Sequence, residues 1–307
     1  MRFDGLRRAW QRTRRRRDLP IRLTFPDAAA DVPPIRVVIF GEFADDWLPA
    51  FIDPALWAGI DGVAEVVRIA DLSGIVLPAP AIEGSRTVIV PLSITNIRNC
   101  PPGEAALIPE TEALNTLSDK GQFAEYMTAK GLGRFCPRVY ASDEEAEFPC
   151  ILKRTDLAAA WGIAVARSYP ELVRLRRAVP FRDKPCIVQA FQPALVEYVT
   201  HCVCRDGCIL WHGSFACEKR DAEQLRVSMD DQTITPVETP PQVLDTIGRV
   251  LAPLRFSGPC AVDYSLTEEG AMVIFEVNPR FGGTLTLPEN AGRLRDALAC
   301  IIHTALS

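Results

Sequence analysis

No run in this chain approaches the ~18 consecutive apolar residues that a bilayer-spanning helix requires. The basic N-terminus is not followed by an apolar signal core, so a soluble, cytoplasmic protein is expected. Histidine is scarce, with three in 307 residues, which gives a Ser-His-Asp hydrolase little support. No GxGxxG follows a predicted strand, so a dinucleotide site lacks its phosphate-binding turn. Positive charge is also missing from most of the chain. Residues 1–22 hold nine Arg against Asp4 and Asp18, a net of +7, so the remainder carries about −12 of the total −5. A body that acidic is a poor nonspecific nucleic-acid binder, because phosphate contacts supply most of that affinity.

Ten cysteines are present, but they are scattered through a chain long enough to fold without staples, and reduced, mostly buried thiols are expected. Cys202, Cys204, Cys208 and Cys217, taken with His201 and His212, match no common structural zinc spacing.

Residues 1–34 combine the Arg-rich opening with Pro20, Pro26 and Pro33-Pro34, the composition of a tail and linker. Phe3, Leu6 and Trp10 recur at helical spacing among the arginines, which suits a short basic amphipathic helix touching an anionic membrane or a protein partner; a solvated arm is the plainer reading. From Ile35 to Gly41 a short apolar run ends in Gly, as does the first strand of an α/β layer, and Val63–Ile69 and Thr87–Pro91 follow. A small Rossmann-like lobe over residues 35–117 is predicted. Ser118 is placed to cap a helix that Gly131 stops near Lys130. Residues 118–188 and 189–307 then read as two α+β lobes. Strands are predicted at 149–153, 163–165, 187–191, 197–204, 208–215, 258–266 and 272–277, with helices at 169–179, 242–254 and 289–306.

The chemistry concentrates near the C-terminus. If Glu269-Gly270 is a two-residue hairpin turn, Asp263 lies directly opposite Glu276. Two facing carboxylates with Cβ atoms ~5 Å apart repel unless a cation or proton lies between them. The period-2 alternation puts Asn278 on the face of Glu276 and sends Phe275 and Val277 into the core. An all-oxygen cluster of this kind suits Mg²⁺. Pro279 ends the ladder, Arg280 offers a fork for phosphate or carboxylate, and Gly282-Gly283 let backbone amides approach an anion.

With those residues in view, the sequence resembles the ATP-grasp superfamily over about residues 109–292, and most closely its amino-acid-ligase and carbamoyl-phosphate-synthetase-like branches. The resemblance implies an ATP-grasp fold, two α+β lobes clasping ATP, preceded by the Rossmann-like lobe. It implies that Asp263, Glu276 and Asn278 hold one or two Mg²⁺, with Mn²⁺ as an alternative, and that Lys120 and Lys153 contact ATP phosphates. By the same resemblance Gln189, Ala190 and Phe191 read the adenine edge, Glu197 holds the ribose hydroxyls, and Lys219 or Arg220 stands near the γ-phosphate. Arg280 would hold the attacking carboxylate or stabilise its adduct.

The implied reaction is ADP-forming: a carboxylate, favoured as amino-acid-like, is activated as an acyl phosphate and captured by an amine. The alternatives are a bicarbonate-activating carboxylase or carbamoyl-phosphate-type enzyme, and a non-catalytic ATP-binding partner protein. The chain departs from the family pattern in the loop after Lys153, Thr155 to Gly162, which is Ala-rich with a single glycine. Such a lid has fewer backbone conformations available for closing over phosphates. The first lobe is short, which leaves room for a homodimer to complete the acceptor pocket. Loops such as Ser93–Cys100 carry no motif that names the substrates.

Overall fold

The computed structural model describes residues 22–25, 33–41, 47–69, 77, 79–156, 162–226 and 232–307. The proposed basic helix at Phe3, Leu6 and Trp10, and the Leu157–Trp161 part of the Ala-rich loop, lie outside them. Among the described residues no helix is long and apolar enough to cross a membrane.

The elements begin with β1 (Arg22–Thr24), β2 (Ile35–Phe40), α1 (Leu48–Ile52), α2 (Pro54–Trp57), β3 (Val63–Ile69), β4 (Arg86–Pro91) and α3 (Ile94–Arg98). There follow α4 (Thr111–Ser118), α5 (Lys120–Ala129), β5 (Cys150–Arg154), β6 (Ile163–Ala166), α6 (Tyr169–Arg176), β7 (Cys186–Ala190), β8 (Val196–Arg205) and β9 (Cys208–Lys219). The remainder is β10 (Gln232–Val237), α7 (Pro241–Leu251), β11 (Gly258–Leu266), β12 (Met272–Asn278) and α8 (Ala291–Leu306).

Two compact units divide the chain. One comprises residues 1–108 with Leu285–Ser307, the other Pro109–Thr284. The first holds a sheet in the order β1-β3-β2-β4, with β2 parallel to both β3 and β4. β2 and β3 are buried along their whole length, as parallel strands covered on both faces must be. Residues 22–24 belong to the segment expected as linker, yet they add an antiparallel edge strand to β3. Three residues carry too little apolar pattern to announce a strand; the ladder and the Arg22 Nε–Glu65 Oε1 pair at 2.9 Å hold it. The last helix also departs from expectation. Its buried stripe, Leu294, Ala297, Leu298, Ile301 and Ile302, packs on β4 and α2, so α8 belongs with the first unit and not with the lobe that precedes it in sequence. Helical periodicity reveals that an apolar face exists, not which sheet covers it.

The second unit contains an antiparallel three-stranded sheet, β6-β5-β7, and an antiparallel five-stranded sheet, β10-β9-β8-β11-β12. Val243, Ile247, Val250 and Leu251 of α7, Ala113 and Leu117 of α4, and Phe123 and Met127 of α5 cover one face of the larger sheet. That face presents Cys202, Cys204, Cys260, Val262, Tyr264, Ile274 and Val277, and together they form the principal core. The opposite face carries the candidate site residues of β8, β11 and β12. The β8–β9 turn runs through Asp206 and Gly207 at φ 51 and 84, the left-handed pair that a tight hairpin needs. β10, rich in Thr and containing Pro236, is an edge strand with no strong apolar signal, and sequence reasoning did not find it.

Candidate active site

Asp263 pairs with Glu276 across β11 and β12, as the sequence implied, but by a different route. The connection is a five-residue turn, Thr267 to Ala271, closed by Thr267 N donating to Ala271 O at 2.8 Å, so Leu266 opposes Met272. Counting from that turn would place Asp263 opposite Phe275. A β-bulge between Asp263 and Tyr264 leaves Phe275 without a partner and restores the Asp263–Glu276 pair. The same bulge revises the facing of the strand. Ile274 and Val277 enter the core, Glu276 and Asn278 face the other way, and Phe275, expected inside, is only half-buried.

Each carboxylate divides its oxygens between an amide and a cation. Asn278 Nδ2 donates to Asp263 Oδ2 at 3.0 Å and to Glu276 Oε1 at 2.9 Å. Lys120 Nζ stands 3.4 Å from Glu276 Oε2, and the Arg226 guanidinium contacts Asp263 Oδ1. Burial raises the Glu276 pKa, but Lys120, the Asn278 hydrogen bond, Lys153 and Arg280 outweigh it and leave the carboxyl below its ordinary value.

Lys120 opens α5, whose cap is Asp119 and not Ser118. The Asp119 carboxylate accepts from Gly121 N and Gln122 N, while Ser118 ends the preceding helix α4. Lys153 projects from β5 and is buried. Burial drives its ammonium down to about 8, with Lys120 adding to the drop and Glu276 and Glu197 opposing it. Gln189 is buried and donates from Nε2 to Pro137 O at 3.1 Å, while Ala190 N bonds Arg138 O at 2.8 Å. Phe191 begins the irregular stretch that leads to β8.

Glu197 lies on the face of β8 turned away from the principal core, where Lys219 Nζ donates to its Oε1 at 2.6 Å. Lys219 also donates to Gln224 O at 2.8 Å and Ala222 O at 3.3 Å, and its side chain is 3% exposed. Its three donors thus fix Glu197 and the 222–224 turn. Arg220 follows the end of β9 and is exposed. Arg226, which sequence reasoning missed, connects the two acidic centres: it reaches Asp263, stands 3.7 Å from Glu197 Oε2, and donates to Cys217 Sγ at 3.3 Å. It lies in an irregular stretch where no periodicity could single out one Arg among many. Arg280 is half-buried, donating to the Phe281 carbonyl and to Asn278 Oδ1 (3.3 Å); desolvation lowers its pKa, with Glu276 opposing.

The set therefore brings together three carboxylates, Glu197, Asp263 and Glu276, and five cations, Lys120, Lys153, Lys219, Arg226 and Arg280, a surplus of two positive charges. A largely buried surplus of that sign calls for a polyanion. Among the described residues no group of three or more His, Cys, Asp or Glu is placed to hold a metal ion. The oxygens of Asp263, Glu276 and Asn278 nevertheless suit Mg²⁺, which takes one or two carboxylates and completes its shell with water and phosphate oxygens. A doubly negative metal–nucleoside triphosphate complex would balance the site.

No protein-family model matches the chain, and no curated protein sequence matches it. Solved structures do match. D-alanine–D-alanine ligase from Bacillus anthracis complexed with ATP superposes with a TM-score of 0.60 at 16% identity, covering 90% of this chain and 98% of that one. Biotin carboxylase from Campylobacter jejuni, in its β-γ-ATP complex, gives 0.59 at 14% identity over 89% of this chain and 71% of that one. L-amino acid ligase from Bacillus licheniformis gives 0.52 at 13% identity over 87% of this chain and 75% of that one. Likeness at these identities establishes the fold, which is the ATP-grasp fold with an α/β unit built from both ends of the chain.

Proposed function

We propose that this chain, with its ATP-grasp fold, is a soluble cytoplasmic ligase that activates a small amino-acid-like carboxylate with ATP and joins it to an amine, releasing ADP and phosphate. The observation that carries the reading is the Asp263–Glu276–Asn278 cluster, set together with Glu197 among five cations, a charge pattern made for a metal–triphosphate and hard to explain as structure. In this reading Lys120 and Lys153 hold phosphate oxygens, Glu197 holds the ribose hydroxyls at a position fixed by Lys219, and the 189–191 segment meets the adenine edge. Mg²⁺, held by Asp263, Glu276 and Asn278, would supply charge neutralisation on the β- and γ-phosphates.

The substrate carboxylate attacks the γ-phosphorus, a P–O bond to ADP breaks, and an acyl phosphate forms; the amine then adds at the acyl carbon and expels phosphate. Arg226 and Arg280 provide fixed positive charge where the transferred group and the adduct become most negative. The names of the D-alanine–D-alanine and L-amino acid ligases support an amino-acid substrate. The likeness to biotin carboxylase keeps bicarbonate activation as a second reading.

Release of ADP and phosphate over a panel of amino acids, singly and in pairs, and over bicarbonate separates the two. Turnover that needs an amino acid plus an amine supports ligation. Turnover on bicarbonate alone would transfer the reading to the carboxylase class, and none on any member would leave a binding protein.

A further inference from the structure

His201 lies on the face of β8 turned away from the principal core, in one cross-strand row with Ala261 and Asn278. It is 2% exposed. The segment following that row, Pro279 to Thr284, leads into a 3-10 turn at Gly283–Thr286 and carries Arg280 and the Gly282 and Gly283 amides. Three contacts tie the ring to it and to the sheet. Its Nε2 hydrogen-bonds Thr284 Oγ1 at 2.6 Å. Its ring edge meets Phe215 at a centroid distance of 5.6 Å and an interplanar angle of 78°. It also fills the space beneath Gly282, where an added Cβ would lie 2.6 Å from His201 Cε1 and 3.1 Å from Ala261 Cβ. Glycine at 282 is therefore required by the ring beneath it.

We propose that His201 is a positioning residue: its imidazole, packed under Gly282 and bonded to Thr284, sets the conformation in which the 280–284 loop presents Arg280 and its backbone amides to the carboxylate substrate. The assignment of that loop to the carboxylate rests on the ligase reading above. Burial, then Arg280 and Arg226, depress the ring's pKa to about 3, so it is neutral at working pH. Among the described residues Nδ1 has no hydrogen-bond partner. A bare lone pair is cheaper to leave unpaired in the interior than an N–H, which assigns the proton to Nε2 as donor to Thr284. A charged ring there would add a third cation beside Arg280 and Arg226; a neutral one supplies shape and a single directed bond. Aliphatic side chains could supply the shape but not the bond.

The test compares His201→Phe, His201→Gln and Thr284→Val, using amide hydrogen exchange of the 279–286 segment and the affinity for Mn·ATP. The expected result is exchange about tenfold faster in His201→Phe and Thr284→Val, with partial rescue in His201→Gln, whose amide can still donate. Mn·ATP affinity should stay within about twofold, because the metal and phosphate residues are untouched. The His201→Phe/Thr284→Val double variant should match the single ones, since both remove the same bond. Unchanged exchange in both single variants would overturn the proposal, and so would an equal loss of Mn·ATP affinity, which marks a general structural role. Failure of the wild type to bind Mn·ATP would refute the ligase reading while leaving the exchange result to decide the role of His201.

Discussion

Replacing Arg226 by Gln is expected to move two affinities in opposite directions. The guanidinium stands against Asp263 Oδ1 and 3.7 Å from Glu197 Oε2, so it already neutralises the carboxylate assigned to the metal. Free Mn²⁺ must approach Asp263 against that charge, whereas ATP is drawn by it. A unit charge about 5 Å away is worth about 3 kcal/mol at an effective dielectric near 20 and under 1 kcal/mol in bulk water. The half-buried Arg226 lies between those limits. Removing it should tighten free Mn²⁺ binding and weaken metal-free ATP binding, each by about 1–2 kcal/mol, or roughly five- to thirtyfold. Electron paramagnetic resonance of Mn²⁺ and calorimetry of ATP in chelator read the two separately. Movement of both affinities in the same direction, or of neither, would refute the charge balance drawn for the site.

Lys120→Met should weaken Mn·ATP about tenfold or more and steepen its loss toward low pH, because Glu276 loses the strongest of the pulls that oppose its burial; calorimetry between pH 5 and 8 measures both. His201 should make stability fall on the acid side. Its folded pKa, about 3, lies below its unfolded value of about 6.5, so the unfolded chain binds the proton first. Its contribution is whole above pH 6.5 and declines toward pH 3, with about 2 kcal/mol lost at pH 5. Urea unfolding of the wild type and His201→Phe should diverge by that amount between pH 7.5 and 5, and parallel curves would refute it. Gly207→Ala should cost about 3 kcal/mol, because φ is +84 and the new Cβ would meet Ala252 Cα at 2.5 Å, a backbone contact that no rotamer relieves; the urea midpoint checks it.

What the sequence revealed about this molecule was mostly local. The Asp263–Glu276 pairing could be read from the two strands, yet the turn is longer than two residues and a bulge at Phe275 supplied the compensation. Lys120 and Lys153 were singled out by the resemblance to the ATP-grasp pattern, which places one lysine at the head of a helix and one toward the end of a strand. Arg226 was not, because an Arg in an irregular stretch acquires meaning only from the acids that tertiary structure brings beside it. The placement of α8 failed for a similar reason: its apolar stripe was evident, but the sheet receiving it lies at the other end of the chain. Lys219 shows the limit from another side. Its position was noticed, while its bond to Glu197 was set by the β8–β9 register, in which Glu197 opposes Cys217.

The account depends most on Asp263 and Glu276 acting together on a metal–nucleotide complex. Titration of Mn·ATP into the wild type, Asp263→Asn and Glu276→Gln, followed by water-proton relaxation, tests this directly. The account predicts saturable binding by the wild type and at least a tenfold loss in each variant, with folding unchanged by circular dichroism. Wild-type affinity in both variants would contradict it.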